Sequence, residues 1–170
     1  MRNTSFAFSV IVFCLIIGAC SASNTVRTNI DCPITLPPTL PFELPEGYQG
    51  SNSEPNSDMF WFGTAELWVM LRDNGVWSQL PKQDVGFVQK LVWWSQDYDW
   101  LQEQVPDFQL YGQRIDGVSA EFESDLATNA YTNERGSMIM TGVVIPSTGC
   151  WQITGEYNEA ELSFVVEVRP

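Results

Sequence analysis

Apolar and polar residues alternate clearly between Ala65 and Arg72. Ala65, Leu67, Val69 and Leu71 fall on one face and Glu66, Trp68, Met70 and Arg72 on the other, so a strand that starts near Met59 runs through this segment. Asp73-Asn74-Gly75 then predicts a tight hairpin into Val76-Trp77. Phe87 to Trp94 and Phe108 to Ile115 are further strands, the latter ended by Asp116-Gly117, and Ser119 to Phe122 is a short fourth. Residues 123–137 are polar and turn-rich, which predicts a long loop, with one helical turn over 124–128 as the competing reading. Met138 to Ile145 is an almost continuous β-branched and Met run, the mark of a central strand covered on both faces. Trp151 to Tyr157 and Ala160 to Val168 predict a hairpin across Asn158-Glu159. In its second strand Ala160, Leu162, Phe164, Val166 and Val168 face inward, and Glu161, Ser163, Glu167 and Arg169 face out. Short strands between turn signals, with no sustained helical period, predict an all-β antiparallel β-sandwich. It is Ig-like in architecture but not antibody-type, because Trp151 directly follows Cys150. An open barrel is the competing fold.

The chain ahead of these strands is of a different kind. Residues 1–19 carry Arg2, no acid, and an apolar run from Phe6 to Ala19 broken only by Ser9 and Gly18. The run falls short of the roughly 20 residues a spanning helix needs and closes on small residues, which predicts an export signal over a membrane helix. It ends Ile17-Gly18-Ala19-Cys20, which resembles the bacterial lipobox. That resemblance implies lipidation of Cys20, and two or three acyl chains at about 0.8 kcal/mol per buried CH2 hold a protein on a membrane without spanning it. The competing reading is ordinary cleavage after Ala19 or Ala22. Residues 20–31 form a flexible tether, and 32–170 one domain. The domain opens with a Pro-rich strap over 32–45, which can supply neither ladder donors nor a helix interior, followed by a loop over 46–58.

Of four Cys, Cys14 lies in the signal and Cys20 is assigned to the lipid, leaving Cys32 and Cys150. In an exported chain these are expected to pair, and closing so long a loop stabilises by about 4 to 5 kcal/mol on the chain-entropy account.

Four segments resemble a group of uncharacterised bacterial secreted proteins and lipoproteins with a C-terminal Gly-Cys-Trp hairpin. They are Cys32-Pro33-Ile34-Thr35, Phe62 to Val69, Lys90 to Trp94, and Ser147 to Tyr157 with Ala160 to Val166. The resemblance implies an envelope location, pairing of Cys32 with Cys150 and a β-rich domain, and it transfers no catalytic residue. At the hairpin tip, where the group commonly has Gly, this chain has Asn158, which tolerates a left-handed backbone.

Composition narrows the chemistry. The 170 residues hold 8 Lys plus Arg against 21 Asp plus Glu, a net charge of −13, which excludes nucleic acid as a partner. No His is present, which removes Ser-His-Asp and Cys-His activation and His-ligated zinc. No cofactor is implied. Seven Trp are candidates for core packing or for stacking on a sugar. Trp68, Trp93, Trp94 and Trp100 are the candidate ligand-binding set. Adjacent Trp93 and Trp94 must point to opposite faces, and Trp68 shares its face with Glu66 and Arg72. A covered Trp68 is the preferred expectation, given how aromatics are buried in small domains. Asp97 with Asp99, and Glu121, Glu123 and Asp125, could supply oxygen ligands for Ca²⁺ or a carboxylate pair, but a solvated acidic rim explains them more simply. The expectation is a lipid-anchored cell-envelope domain with a non-enzymatic binding or structural role, its partner an envelope protein or polysaccharide. A carbohydrate-binding module using exposed Trp is the alternative, and a His-free carboxylate hydrolase comes third.

Overall fold

The computed structural model describes residues 31–118 and 120–170. The expected export signal 1–19, the lipidation candidate Cys20 and the expected tether up to residue 30 lie outside the described residues, as does Ser119. Among the described residues eleven strands are formed: β1 (Met59–Gly63), β2 (Trp68–Arg72), β3 (Val76–Trp77), β4 (Lys82–Gln83), β5 (Gly86–Trp94), β6 (Phe108–Arg114), β7 (Glu121–Ser124), β8 (Ala127–Thr132), β9 (Gly136–Ile145), β10 (Gly149–Tyr157) and β11 (Ala160–Val168). They make a β-sandwich. One sheet has the order β1-β2-β5-β9-β8 with β4 appended to β5, and the other has β3-β11-β10-β6-β7.

The main core lies between the sheets. Leu67, Val69, Leu71, Leu91, Trp93 and Ile139 of the first sheet meet Phe108, Leu110, Trp151, Ile153, Phe164 and Val166 of the second. Trp93 is fully buried and packs on Phe108 at 5.0 Å and Phe164 at 5.8 Å between ring centroids. It comes this close because Gly155 of β10 has no side chain: a Cβ there would sit 2.7 Å from both Trp93 and Phe108. Its indole N–H donates to Thr141 Oγ1 at 3.1 Å, so the buried ring carries no unpaired donor.

The C-terminal hairpin has the expected register, with Tyr157 opposite Ala160, and Asn158 at its tip adopts φ 53°. Met138 to Ile145 lies within β9, paired with β5 over Ile139–Ile145 and with β8 up to Thr141, but it is not covered on both faces as expected. Ile139, Thr141, Val143 and Ile145 are buried, while on the other face only Met138 is, Met140 being partly open and Val144 exposed beyond the reach of the strap.

Four further expectations are corrected. The strand read from near Met59 through Arg72 is two strands: β1 ends at Gly63, the chain turns over 64–67 with the Thr64 N–H donating to Leu67 O at 2.9 Å, and β2 returns antiparallel with Trp68 opposite Gly63. Asp73-Asn74-Gly75 does not make a hairpin. Gly75, at φ 62°, hands the chain across to the other sheet, where β3 pairs with β11 in parallel. Part of residues 123–137 forms β8 instead of a loop or helical turn. This is an edge strand of which only Ala127 is buried, so backbone pairing with β9 holds it where its polar side chains give no alternation to read. The short fourth strand begins at Glu121 and extends to Ser124.

The Pro-rich strap has no regular secondary structure, as its composition dictates. A disulfide joins Cys32 to Cys150 at the start of β10, with Cα atoms 5.5 Å apart. Thr35 then serves the free edge of β11: its N–H donates to Val165 O, and its hydroxyl accepts from Val165 N–H, both at 2.9 Å. Farther on, Phe42, Leu44 and Tyr48 lie on the outer face of the first sheet. There they cover a second apolar cluster of Trp61, Trp68, Trp94 and Met138, taken from β1, β2, β5 and β9. The first sheet is therefore buried on both sides where this cluster lies, and open on its outer face around Arg72 and Lys90.

Candidate functional site

The aromatic residues singled out in the sequence divide between the two cores. Trp68, Trp93 and Trp94 are 2%, 0% and 3% exposed, so none offers a ring face to a sugar. Trp93 belongs to the main core and Trp94 to the cluster under the strap, as opposite pointing requires. Trp94 Nε1 donates to Arg135 O at 2.9 Å, and its ring meets Trp61 edge to face at 4.9 Å. Trp68 lies under Phe42. Trp100 is half-buried, packed against the margin of the main core and stacked on the exposed Tyr131 at 5.2 Å.

The acidic residues do not gather into a metal centre: among the described residues no group of three or more Asp, Glu or Cys is placed to hold an ion. Tyr98, between Asp97 and Asp99, is a buried core residue, while Asp99 Oδ1 accepts the Leu101 N–H at 2.9 Å and so shapes a turn. Glu66, Asp97, Glu159 and Glu161 line an open hollow near the C-terminal hairpin tip. There a hydrogen bond from Thr64 holds the exposed Glu66 carboxyl below its ordinary range, the direction opposite to that of a general acid.

A different place combines apolar walls with positive charge. β2 and β5 pair at Trp68–Trp94 and Val69–Trp93, and the pairing ends there, although both strands continue. Beyond that point Leu71 and Arg72 have no register partner in β5, and the Lys90 N–H donates to the side chain of its own neighbour, Gln89 Oε1, at 3.0 Å. The parted strands leave a cleft of about 300 Å³ walled by Met59, Met70, Trp77, Leu91, Val92, Trp94 and Met138. Trp77 and Leu91 belong to the main core, and Trp94 and Met138 to the cluster beneath the strap, so the cleft reaches both.

Arg72, Lys90 and Arg135 also line it. Among the described residues the ion pairs are Arg72–Asp58, Arg114–Asp116 and Arg169–Glu167, so Lys90 and Arg135 have no carboxylate within ion-pair distance. Arg135 spends its N–H groups on neutral oxygens instead: Glu54 O at 2.7 Å, Asn56 Oδ1 at 2.9 Å and Asn52 O at 3.3 Å. Its guanidinium also lies over Trp61, 5.6 Å from the ring centroid. In a chain of net charge −13, two cations without an ion-pair partner among the described residues thus stand beside an apolar cleft.

Sequence reasoning did not find this cleft, although a signal was present. Trp68, Met70 and Arg72 alternate on one strand face and Lys90, Val92 and Trp94 on another. What the pattern lacks is the point at which the two strands separate, which depends on where β3 and β4 draw the chain away. Comparison with protein-family models, curated proteins and solved structures found no match for the chain.

Proposed function

We propose that the protein is a lipid-anchored cell-envelope domain whose role is to bind, not to catalyse, and that its binding site is the cleft between β2 and β5. The observation that carries the reading is the meeting of apolar walls with the unpaired charges of Lys90 and Arg135 in an otherwise strongly acidic chain. The export-type start ending Ile17-Gly18-Ala19-Cys20 supports the location, and the Cys32–Cys150 bridge agrees with an oxidising compartment. The test is native mass spectrometry of the protein released from its own envelope. The reading expects a fatty-acylated Cys20 and a retained ligand that is lost from Lys90→Glu. Equal retention by wild type and variant would place the site elsewhere, and an unacylated Cys20 would remove the anchor.

One observation favours a second reading, carbohydrate binding. The exposed Tyr131 ring, backed by Trp100, lies next to the Asn129 and Gln104 amides, which hydrogen-bond each other at 2.9 Å. A sugar would stack there and not on Trp68.

A further inference from the structure

The cleft has features that specify the chemistry of its occupant. Its volume of about 300 Å³ is at the small end of ligand pockets. At roughly 30 Å³ for a water-sized group, it takes on the order of ten heavy atoms, too few for a full acyl chain. Met59, Met70 and Met138 are unbranched and adapt to a flexible apolar body.

The polar end of the cleft is set by Lys90. This residue pairs with Gly142 of β9 but has no partner in β2; its backbone N–H donates to the side-chain oxygen Oε1 of Gln89, and its ammonium is exposed with no carboxylate in ion-pair distance among the described residues. Gln89 Oε1 thus stands where an external planar oxygen acceptor could stand. A carboxylate in that place would take the same N–H and gain a charge-assisted contact that a neutral amide lacks. Arg135, whose partners are neutral, adds positive potential. Arg72 is tied only to Asp58 in an ion pair half exposed on both sides, which a ligand anion can replace at little cost.

We infer that this cleft binds a small amphiphile with one carboxylate and a short apolar body, about the size of octanoate. The inference rests on the reading of the cleft as the binding site and deepens it by naming the ligand class. A singly charged head fits better than a phosphate, because a dianion meets more repulsion from a chain of net charge −13.

The test titrates the full, detergent-solubilised protein with octanoate, octanol, octylamine and octyl phosphate while following the fluorescence of its Trp residues, of which Trp77 and Trp94 line the cleft. Octanoate is expected to bind saturably and at least tenfold more tightly than each of the other three. Lys90→Gln should abolish at least tenfold of that affinity without changing octanol binding, and thermal melting checks that the exposed substitution leaves the fold intact. Gln89→Ala, which removes the internal acceptor, should tighten octanoate several-fold. Equal binding of octanol and octanoate, tighter binding of octyl phosphate, or an indifferent Lys90→Gln would overturn the carboxylate assignment while leaving the cleft as a site. No response to any of the four probes would overturn both.

Discussion

The ring of Phe42, a residue of the Pro-rich strap, lies 6.1 Å from the ring of Trp68 on β2, between centroids. That contact covers one part of the outer face of the first sheet. Trp68 shares its strand face with Arg72, which is exposed, yet Trp68 itself is only 2% exposed. The strap thus divides one strand face into a dry part beneath Phe42 and an open part that leads into the cleft.

Removing the Trp68 side chain should therefore cost stability and not merely a binding contact. Trp68→Ala is expected to destabilise by about 3 to 5 kcal/mol through the cavity it leaves, read as a lower midpoint in chemical denaturation. Trp68→Phe should cost much less. Among the described residues the buried Trp68 indole N–H has no hydrogen-bond partner, and deleting it removes a desolvation penalty that offsets part of the lost volume. An unchanged midpoint for Trp68→Ala would mean that the strap does not cover this face.

The strap is held by one covalent link and a few backbone contacts. Reducing Cys32–Cys150 should lower the melting temperature by freeing the N-terminal end of the strap, with Thr35 and Val165 still joined by two hydrogen bonds. Limited proteolysis of the reduced protein should cut residues 32–58 first, before any site in β9, β10 or β11. First cleavage within β9 would show that the bridge holds the sandwich itself together.

The buried Tyr98 gives an alkaline limit. Burial and the negative charges of Glu103 and Asp99 push its phenol from 10.0 up to about 12. The folded state thus favours the protonated form. Its stabilising contribution is complete below pH 10 and is lost as pH rises through about 12. Denaturation midpoints measured from pH 9 to 12 should fall across that window, and Tyr98→Phe should flatten part of the fall. A fall already under way near neutrality would have another origin.

Much of the sandwich was legible because burial leaves a period in the sequence. The last hairpin shows it best: Leu162, Phe164, Val166 and Val168 alternate without interruption, and all four are buried. Trp93 and Trp94 could be assigned to opposite faces, but that both faces are covered depends on the strap. Phe42, Leu44 and Tyr48 lie in segments whose composition predicts only a strap and a loop, so their landing place is a tertiary fact. β8 was illegible for the opposite reason, since Thr128, Asn129 and Thr132 contribute backbone pairing and little burial. The cleft depends on an interruption of pairing between Val69–Trp93 and the strand ends, which no alternation encodes.

The most direct test of the account compares indole N–H resonances of the protein as purified from its own envelope with those of the same protein stripped of bound small molecules. Trp77 and Trp94, which line the cleft, should shift between the two states, while Trp151, fully buried in the main core away from it, should stay in place. A shift confined to Trp100, or seven unchanged indole signals, would contradict the assignment of the cleft between β2 and β5 as the binding site.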